Sequence, residues 1–368
     1  MVSDLLFELL QLSLGTRERL SRASSADEWE RLYELAEEQA ITGLLLKGLE
    51  RLPEAQLPPL ELKLQWIGEV QIIQHENKMM DKAVVNLCQK MEKAGIRIFV
   101  FKGQTLAVLY PDATLRQSGD IDFYCHLEDW EKGLQWFKEE WQVEPDDTNA
   151  SKDVEFMYQD IAYEMHNKLT LFMNPKHGRY WEEVVMPEIK ANLCSVTIDN
   201  YEVSTLSPLY NVLYVFVHIF QHLISDGIGL RQFVDWYYLM EDVRWKKDNV
   251  DLLERHLDGI GMRSAFIGLG TVLTDYMGLP KEKFPFPISE KDHGNASALV
   301  ANIIEYGNFG QNIQYTQQRG VIHAMQHIGR VVGQSRRFGH YAPAEVWWRI
   351  PHMFVWWGKK VWRIVKKF

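Results

Sequence analysis

Two aspartates with one residue between them, in Asp120-Ile-Asp-Phe-Tyr, stand seventeen residues after Gly103, which closes the apolar run Phe99-Val-Phe-Lys-Gly. The spacing reads as a strand, a glycine turn and a second strand that opens with carboxylates. Side chains alternate faces along a strand, so Asp120 and Asp122 point the same way, ~7 Å apart. Such a pair can lean together on one or two hard cations. Mg2+, or Mn2+ in its place, takes one or two carboxylates, keeps several waters and accepts phosphate oxygens. The chemistry this arrangement serves is phosphoryl or nucleotidyl transfer.

Two-metal transfer also needs a third carboxylate on a neighbouring strand, so that metals ~3.5–4 Å apart hold both nucleophile and leaving oxygen. Ile161-Ala-Tyr-Glu-Met-His-Asn-Lys-Leu supplies it. Its alternation puts Ala162, Glu164 and His166 on one face. The expected metal set is therefore Asp120, Asp122 and Glu164, with His166 placed to orient a phosphate or act as a base. Asp153, Glu155 and Asp160 sit at strand ends or turns and fit less well. The plainer alternatives are a polar loop for the Asp pair and a lysine-paired strand-edge carboxylate for Glu164.

The chain around these residues has 368 positions, enough for two or three packed units, with 46% hydrophobic and 24% charged residues, as in soluble globular proteins. Cys88, Cys125 and Cys194 have no metal-ligand spacing and read as reduced thiols of a cytoplasmic protein. The N-terminal Met-Val-Ser-Asp-Leu-Leu-Phe-Glu lacks a basic region and reads as no signal peptide. The net charge of −10 is uneven: residues 321–368 carry nine Lys/Arg against one Glu and five of the thirteen tryptophans, leaving −18 elsewhere. An acidic body disfavours a long nucleic acid as partner.

Three regions follow. Residues 1–94 read as helical: Leu5, Leu9 and Leu10, then Trp29, Leu32, Leu35 and Ala36 are helically spaced, Ser25 and Glu28 form a capping box, prolines break 53–59, and a helix from Leu60 to Lys93 ends at Gly95. Residues 95–205 read as the α/β core, with strands at 96–101, 120–126, 154–158 and 161–172. A short helix covers 104–110 and an amphipathic one 127–141, and a hairpin turns at Asp199-Asn200. Residues 206–368 read as helical again from Ser207-Pro208. The apolar stretch Tyr210 to Ile224 is too short to span a membrane. His218 and His222, four apart on it, have zinc-ligand spacing but no third ligand, and read better as hydrogen-bonded histidines partnered by Asp235 or Arg231. The Trp-rich basic helix Val355–Phe368, within a tail at 347–368, is built to meet an anionic lipid surface, the acidic body or a second subunit.

Lys102-Gly103 followed by Arg116-Gln-Ser-Gly-Asp-Ile-Asp-Phe resembles the nucleotidyltransferase superfamily related to DNA polymerase β. More narrowly, the chain resembles a bacterial nucleotidyltransferase family with Lys-Gly after the first strand, Arg before Asp-Ile-Asp, and a Glu/Asp-x-His strand ahead of a helical half. Leu206-Ser-Pro, His218-x-x-x-His222 and Leu230-Arg-Gln-Phe-Val-Asp235 fit that half. The likeness covers about 30–245, and beyond it implies only helices.

The resemblance implies an α+β fold, a small mixed β-sheet core flanked by N-terminal and C-terminal helical regions. It implies metal ligation by Asp120 and Asp122 and a triphosphate cradle at Gly103, with a nucleoside triphosphate such as ATP as donor. The superfamily's turn is Gly-Gly or Gly-Ser, whereas this chain has Gly103-Gln104. Thr105 or Ser118 is the expected replacement hydroxyl, and Lys102 or Arg116 the phosphate-neutralising cation. The acceptor expected for an acidic body is a hydroxyl on a small molecule, a sugar-lipid or a protein. Tyr124 stands where a haloacid-dehalogenase phosphatase has Thr or Val, and a single strand before Asp120 is short for a sugar-nucleotide glycosyltransferase. The rival outside catalysis is a degenerate member that senses nucleotide or scaffolds an assembly.

Overall fold

The computed structural model describes residues 2–145, 152–225, 227–308 and 321–352, without the side chains of 321–328. The basic helix expected at Val355–Phe368 lies outside them.

Helices α1 (Val2–Leu14), α2 (Ala26–Glu38) and α3 (Thr42–Glu50) precede the long α4 (Leu60–Ala94). The Ser25/Glu28 capping box forms, satisfying two otherwise orphaned N–H groups of α2. Gly95 ends α4 at φ 63°, a left-handed cap where glycine has no side chain to clash.

The sheet follows. Strand β1 (Ile98–Val100) leads through α5 (Gly103–Ala107) to β2 (Asp120–Cys125) and α6 (Trp130–Trp136), then to β3 (Asp153–Tyr158) and β4 (Ile161–His166). The order is β1-β2-β4-β3, with β2 and β4 parallel and the other pairs antiparallel. Short α7 (Pro175–Tyr180) and α8 (Met186–Ala191) lead to the hairpin of β5 (Leu193–Ile198) and β6 (Tyr201–Leu206). Its turn residues Asp199 and Asn200 have φ of 45° and 61°, the two positive values that match the twist of a two-residue hairpin. Helices α9 (Pro208–Leu223), α10 (Leu230–Asp242), α11 (Lys247–Gly259), α12 (Arg263–Thr271), α13 (Glu290–Tyr306) and α14 (Val321–Phe338) follow, and 343–352 is helical. The fold is α+β: a small mixed sheet flanked by helices on both sides in sequence.

Two elements differ from the sequence expectation. The strand expected to reach Phe172 stops at His166, because β3 begins at Asp153 and β2 ends at Cys125, leaving no strand to pair with. There Asn167 N–H turns to the Lys152 carbonyl, at 2.9 Å. The helix expected over 127–141 is a 3-10 turn, α6, and a π-turn at Phe137–Trp141.

Alternation divides the sheet between two cores. Val100, Ile121, Phe123, Val154, Tyr163 and Met165 pack with Met80, Val84, Leu87 and Met91 of α4. Phe99, Phe101 and Tyr124 join the larger core, built from α1–α3 together with α9, α10 and α12. Each fully buried aromatic or leucine there contributes about 1.5–3 kcal/mol. Asp120 and Asp122 share the parity of Tyr124, so the carboxylates face the helical bundle. Among the described residues no helix is long and apolar enough to cross a membrane; α9 is a core helix.

Candidate active site

Lys102 and Gly103 form the turn out of β1. Gly103 has φ 43°, and Lys102 has φ 56° with ψ −151°, a backbone state natural to glycine. Holding a lysine there costs on the order of 1–3 kcal/mol, a strain found where a side chain must be aimed. A Cβ at Gly103 would meet the Asp120 carbonyl at an ordinary 3.5 Å, so the backbone angle, rather than space, calls for glycine.

The turn aims Lys102 at Asp122: Nζ donates to Oδ1 at 2.9 Å. His166 Nε2 lies 2.9 Å from the same oxygen and 3.2 Å from Glu164 Oε2. With carboxylate oxygens on both approaches, Nε2 must carry the proton. Asp122 and Glu164 are direct partners in the parallel β2–β4 register, and Tyr124 pairs with His166. His166 has no solvent exposure and Asp122 has 2%, whereas the Glu164 side chain keeps 26%. The site is thus a buried charge cluster that opens at Glu164.

Burial alone would raise the Asp122 carboxyl, but the Lys102 ammonium and the His166 N–H outweigh it and hold the group well below the usual carboxylate range. The Asp122 charge, then burial, pushes Asp120 up to about 6, with Lys102 offsetting part of the rise. Burial pulls Lys102 down, yet Asp122, Tyr214 and the other carboxylates raise it above its ordinary value overall, so it stays charged.

The residues fit a divalent cation. Ligand atoms of Asp122, Glu164 and His166 lie within 4.8 Å of one another. Asp120 is outside that group, on the same strand face. Two hard oxygen donors on adjacent strands with a third close by suit Mg2+ or Mn2+. Asp122 and Glu164 repel the Asp120 charge, a repulsion that a cation relieves.

Arg116 was expected on a phosphate, but its guanidinium is engaged elsewhere. Nε and Nη2 each donate to Asp235 at 2.8 Å, and Nη1 donates to Ser118 Oγ at 2.7 Å. Ser118 accepts that bond and keeps its own O–H proton to donate. The Thr105 hydroxyl is buried and donates to the Lys102 carbonyl at 2.7 Å. Gln104 turns from the cleft into α4, donating to Asp81 Oδ1 at 2.9 Å. His166, expected near phosphate or as a base, instead ties two carboxylates together inside the protein. Asp235, expected beside a histidine, takes Arg116 and the Tyr110 hydroxyl, at 2.8 Å.

Sequence reasoning missed Tyr214, whose ring lies 5.2 Å from Phe101 and 5.9 Å from Lys102 Nζ. It also missed Asn77 on α4, whose amide donates to the Thr114 and Arg116 carbonyls at 2.8 and 2.6 Å. The four-residue spacing Tyr214, His218, His222 was the available signal for the first. Nothing local marked Asn77.

The sequence matches the model of a family described as "Uncharacterised nucleotidyltransferase" over residues 25–277, which includes every residue of the site and extends past the motifs of 30–245 at both ends. The chain belongs to that family. Among solved structures, an antigenic nucleotidyltransferase-like protein from Paracoccidioides brasiliensis is similar at 12% identity and a TM-score of 0.37, over 54% of this chain and 92% of that one. No curated protein matches the sequence.

Proposed function

We propose that this chain moves a nucleoside monophosphate from a nucleoside triphosphate to a hydroxyl acceptor and releases pyrophosphate, with Mg2+ or Mn2+ held by Asp120, Asp122 and Glu164. The observation that carries this reading is the pairing of Asp122 with Glu164 across β2 and β4, facing Lys102 on its strained turn. When bound, the cation supplies charge neutralisation at the reacting phosphate and fixes its orientation. Lys102, the Gly103 turn and the Ser118 hydroxyl hold triphosphate oxygens. His166 keeps Asp122 and Glu164 oriented from behind. The acceptor oxygen bonds to the α-phosphorus in line as the bond to pyrophosphate breaks, and the hydroxyl proton passes to a site carboxylate. Tyr214, His218 and His222 line the cleft from α9. The −18 balance outside the basic tail favours a small-molecule, sugar-lipid or protein hydroxyl over a long nucleic acid.

Calorimetry with ATP, GTP, CTP and UTP, with and without Mg2+, tests the reading beside the double variant Asp120→Asn/Asp122→Asn. Metal-dependent binding that the variant loses supports it; absence of binding for all four overturns it. One observation favours the second reading, a nucleotide-binding scaffold without turnover: Gln104 is committed to Asp81, so the small or hydroxyl residue the superfamily places there has no counterpart at that position. Pyrophosphate release in the presence of acceptor extracts separates the two readings.

A further inference from the structure

Lys102 does more at this site than a phosphate contact requires. Its ammonium lies 2.9 Å from Asp122 Oδ1, and His166 Nε2 reaches the same oxygen at 2.9 Å. The Lys102 side chain is 16% exposed, and its head lies 5.4 Å from the Phe101 ring centre and 5.9 Å from that of Tyr214. A divalent ion coordinates carboxylate oxygen at about 2.0–2.1 Å. A divalent ion on either oxygen of Asp122 would sit close to the Lys102 ammonium, and two cations in a buried cluster repel each other strongly.

We propose that Lys102 is a resident stand-in for the metal: its ammonium neutralises the Asp122 carboxylate where a divalent cation would, and the triphosphate draws it away, so metal and nucleotide bind cooperatively. This rests on the nucleotidyltransferase reading of the same site and adds an order to its ligands. The lysine stem is flexible enough to swing while the turn stays in place. Without triphosphate, the nearest anions to the ammonium are the site carboxylates, and it stays on Asp122. With triphosphate present, the phosphate oxygens offer a second anionic partner, and Asp122 becomes available to the metal. By linkage the coupling is reciprocal, and couplings of this kind are typically about 5- to 150-fold.

The test measures Mn2+ alone, by electron paramagnetic resonance of the free ion, on the full chain and on Lys102→Met and Lys102→Gly. The glycine variant also relieves the backbone strain, so a folded sample is secured if the methionine variant fails. Both variants are expected to bind Mn2+ alone roughly tenfold tighter than the parent. Adding Asp122→Asn should abolish the gain. Mg2+-dependent binding of the four nucleoside triphosphates, by calorimetry, should weaken about tenfold in the same variants. A lysine that acts only as a fixed charge would give the same Mn2+ gain with and without bound triphosphate, whereas the stand-in gives the gain without nucleotide and loses it once triphosphate is bound. Mn2+ affinity unchanged or reduced in folded Lys102 variants overturns this proposal and leaves the nucleotidyltransferase reading standing. Absence of Mn2+ binding in every protein, with or without nucleotide, overturns both.

Discussion

Arg116 and Asp235, 119 residues apart in sequence, join through two parallel N–H to carboxylate bonds of 2.8 Å, both side chains about 5% exposed or less. The pair ties the loop that feeds Asp120 to helix α10. The same loop is held again where Arg231 Nη1 donates to the Gln117 carbonyl at 2.7 Å, where Thr42 N–H donates to the Gln117 side chain at 2.8 Å, and where Asn77 reaches the Arg116 carbonyl. Helices from both sides of the sheet therefore set where the acidic strand begins.

Breaking that pair from one side leaves a buried charge without its partner, at a cost of about 3–5 kcal/mol. Asp235→Ala is expected to lower the unfolding free energy in urea by that order, with the Tyr110 hydroxyl also losing its acceptor. The double variant Arg116→Met/Asp235→Leu removes both charges and should be clearly more stable than Asp235→Ala alone. Equal losses in the single and double variants would show that the charge pair is not what the fold depends on.

Asp122→Asn removes the charge between Lys102 and His166. Losing a charged hydrogen-bond partner costs about 1.5–3 kcal/mol, a loss the rest of the core can absorb. The expected outcome is a protein with unchanged far-ultraviolet circular dichroism, a lower melting temperature and no Mg2+-dependent nucleotide binding. Retained metal-dependent binding would remove Asp122 from the metal set.

The carboxylate face was legible because strand alternation is a local rule: Asp120, Asp122, Glu164 and His166 could be put on faces from parity alone, and Ile121, Phe123, Tyr163 and Met165 of the other parity pack with α4. That β4 would neighbour β2 was expected from the need for a third carboxylate, but that the two run parallel was not legible, because β3 intervenes in sequence and pairing depends on which edge the returning chain meets. Arg116 shows the same limit. Its type and its place before Asp120 suggested a phosphate, but a guanidinium binds any carboxylate the fold brings near, and Asp235 arrives from another region. Gln104 points into α4 because Asp81 waits there, which no spacing within 103–122 reveals.

His218 bears on stability at acid pH. Burial, then Lys102, then His222 hold its pKa well below the ordinary histidine value. In the unfolded chain it titrates near about 6.5. Above that pH both states leave it neutral and it contributes nothing. As pH falls below about 6.5, the unfolded state takes up a proton that the folded state refuses, and stability drops by up to about 1.4 kcal/mol per pH unit. Asp120, raised in the fold, works in the opposite direction, so the comparison must be between slopes. Replacing His218 with Gln is expected to reduce the loss of stability between pH 7 and pH 5.5 relative to the parent. An identical slope in the two proteins would exclude a proton-linked role.

Glu345 is the single acid of the basic C-terminal stretch, and it is buried. Its carboxylate accepts the backbone N–H groups of Met173 and of Asn174, the latter at 3.1 Å, and lies 3.2 Å from His177 Nδ1. Helix 343–352 is thereby fastened to the segment that follows β4, while Trp347 and Trp348 on it remain exposed at 53% and 44%. Losing these charge-assisted bonds costs about 1.5–3 kcal/mol. If the cost falls on local opening, the open population rises roughly 10- to 100-fold. Glu345→Ala should then be cut by trypsin at the exposed Arg336 and Arg337 at least several-fold faster than the parent, with the product ending near residue 337 resistant to further digestion. Digestion that instead spreads through the whole chain would mean that the carboxylate supports global stability, and unchanged cleavage would mean that the helix is held by its apolar contacts alone.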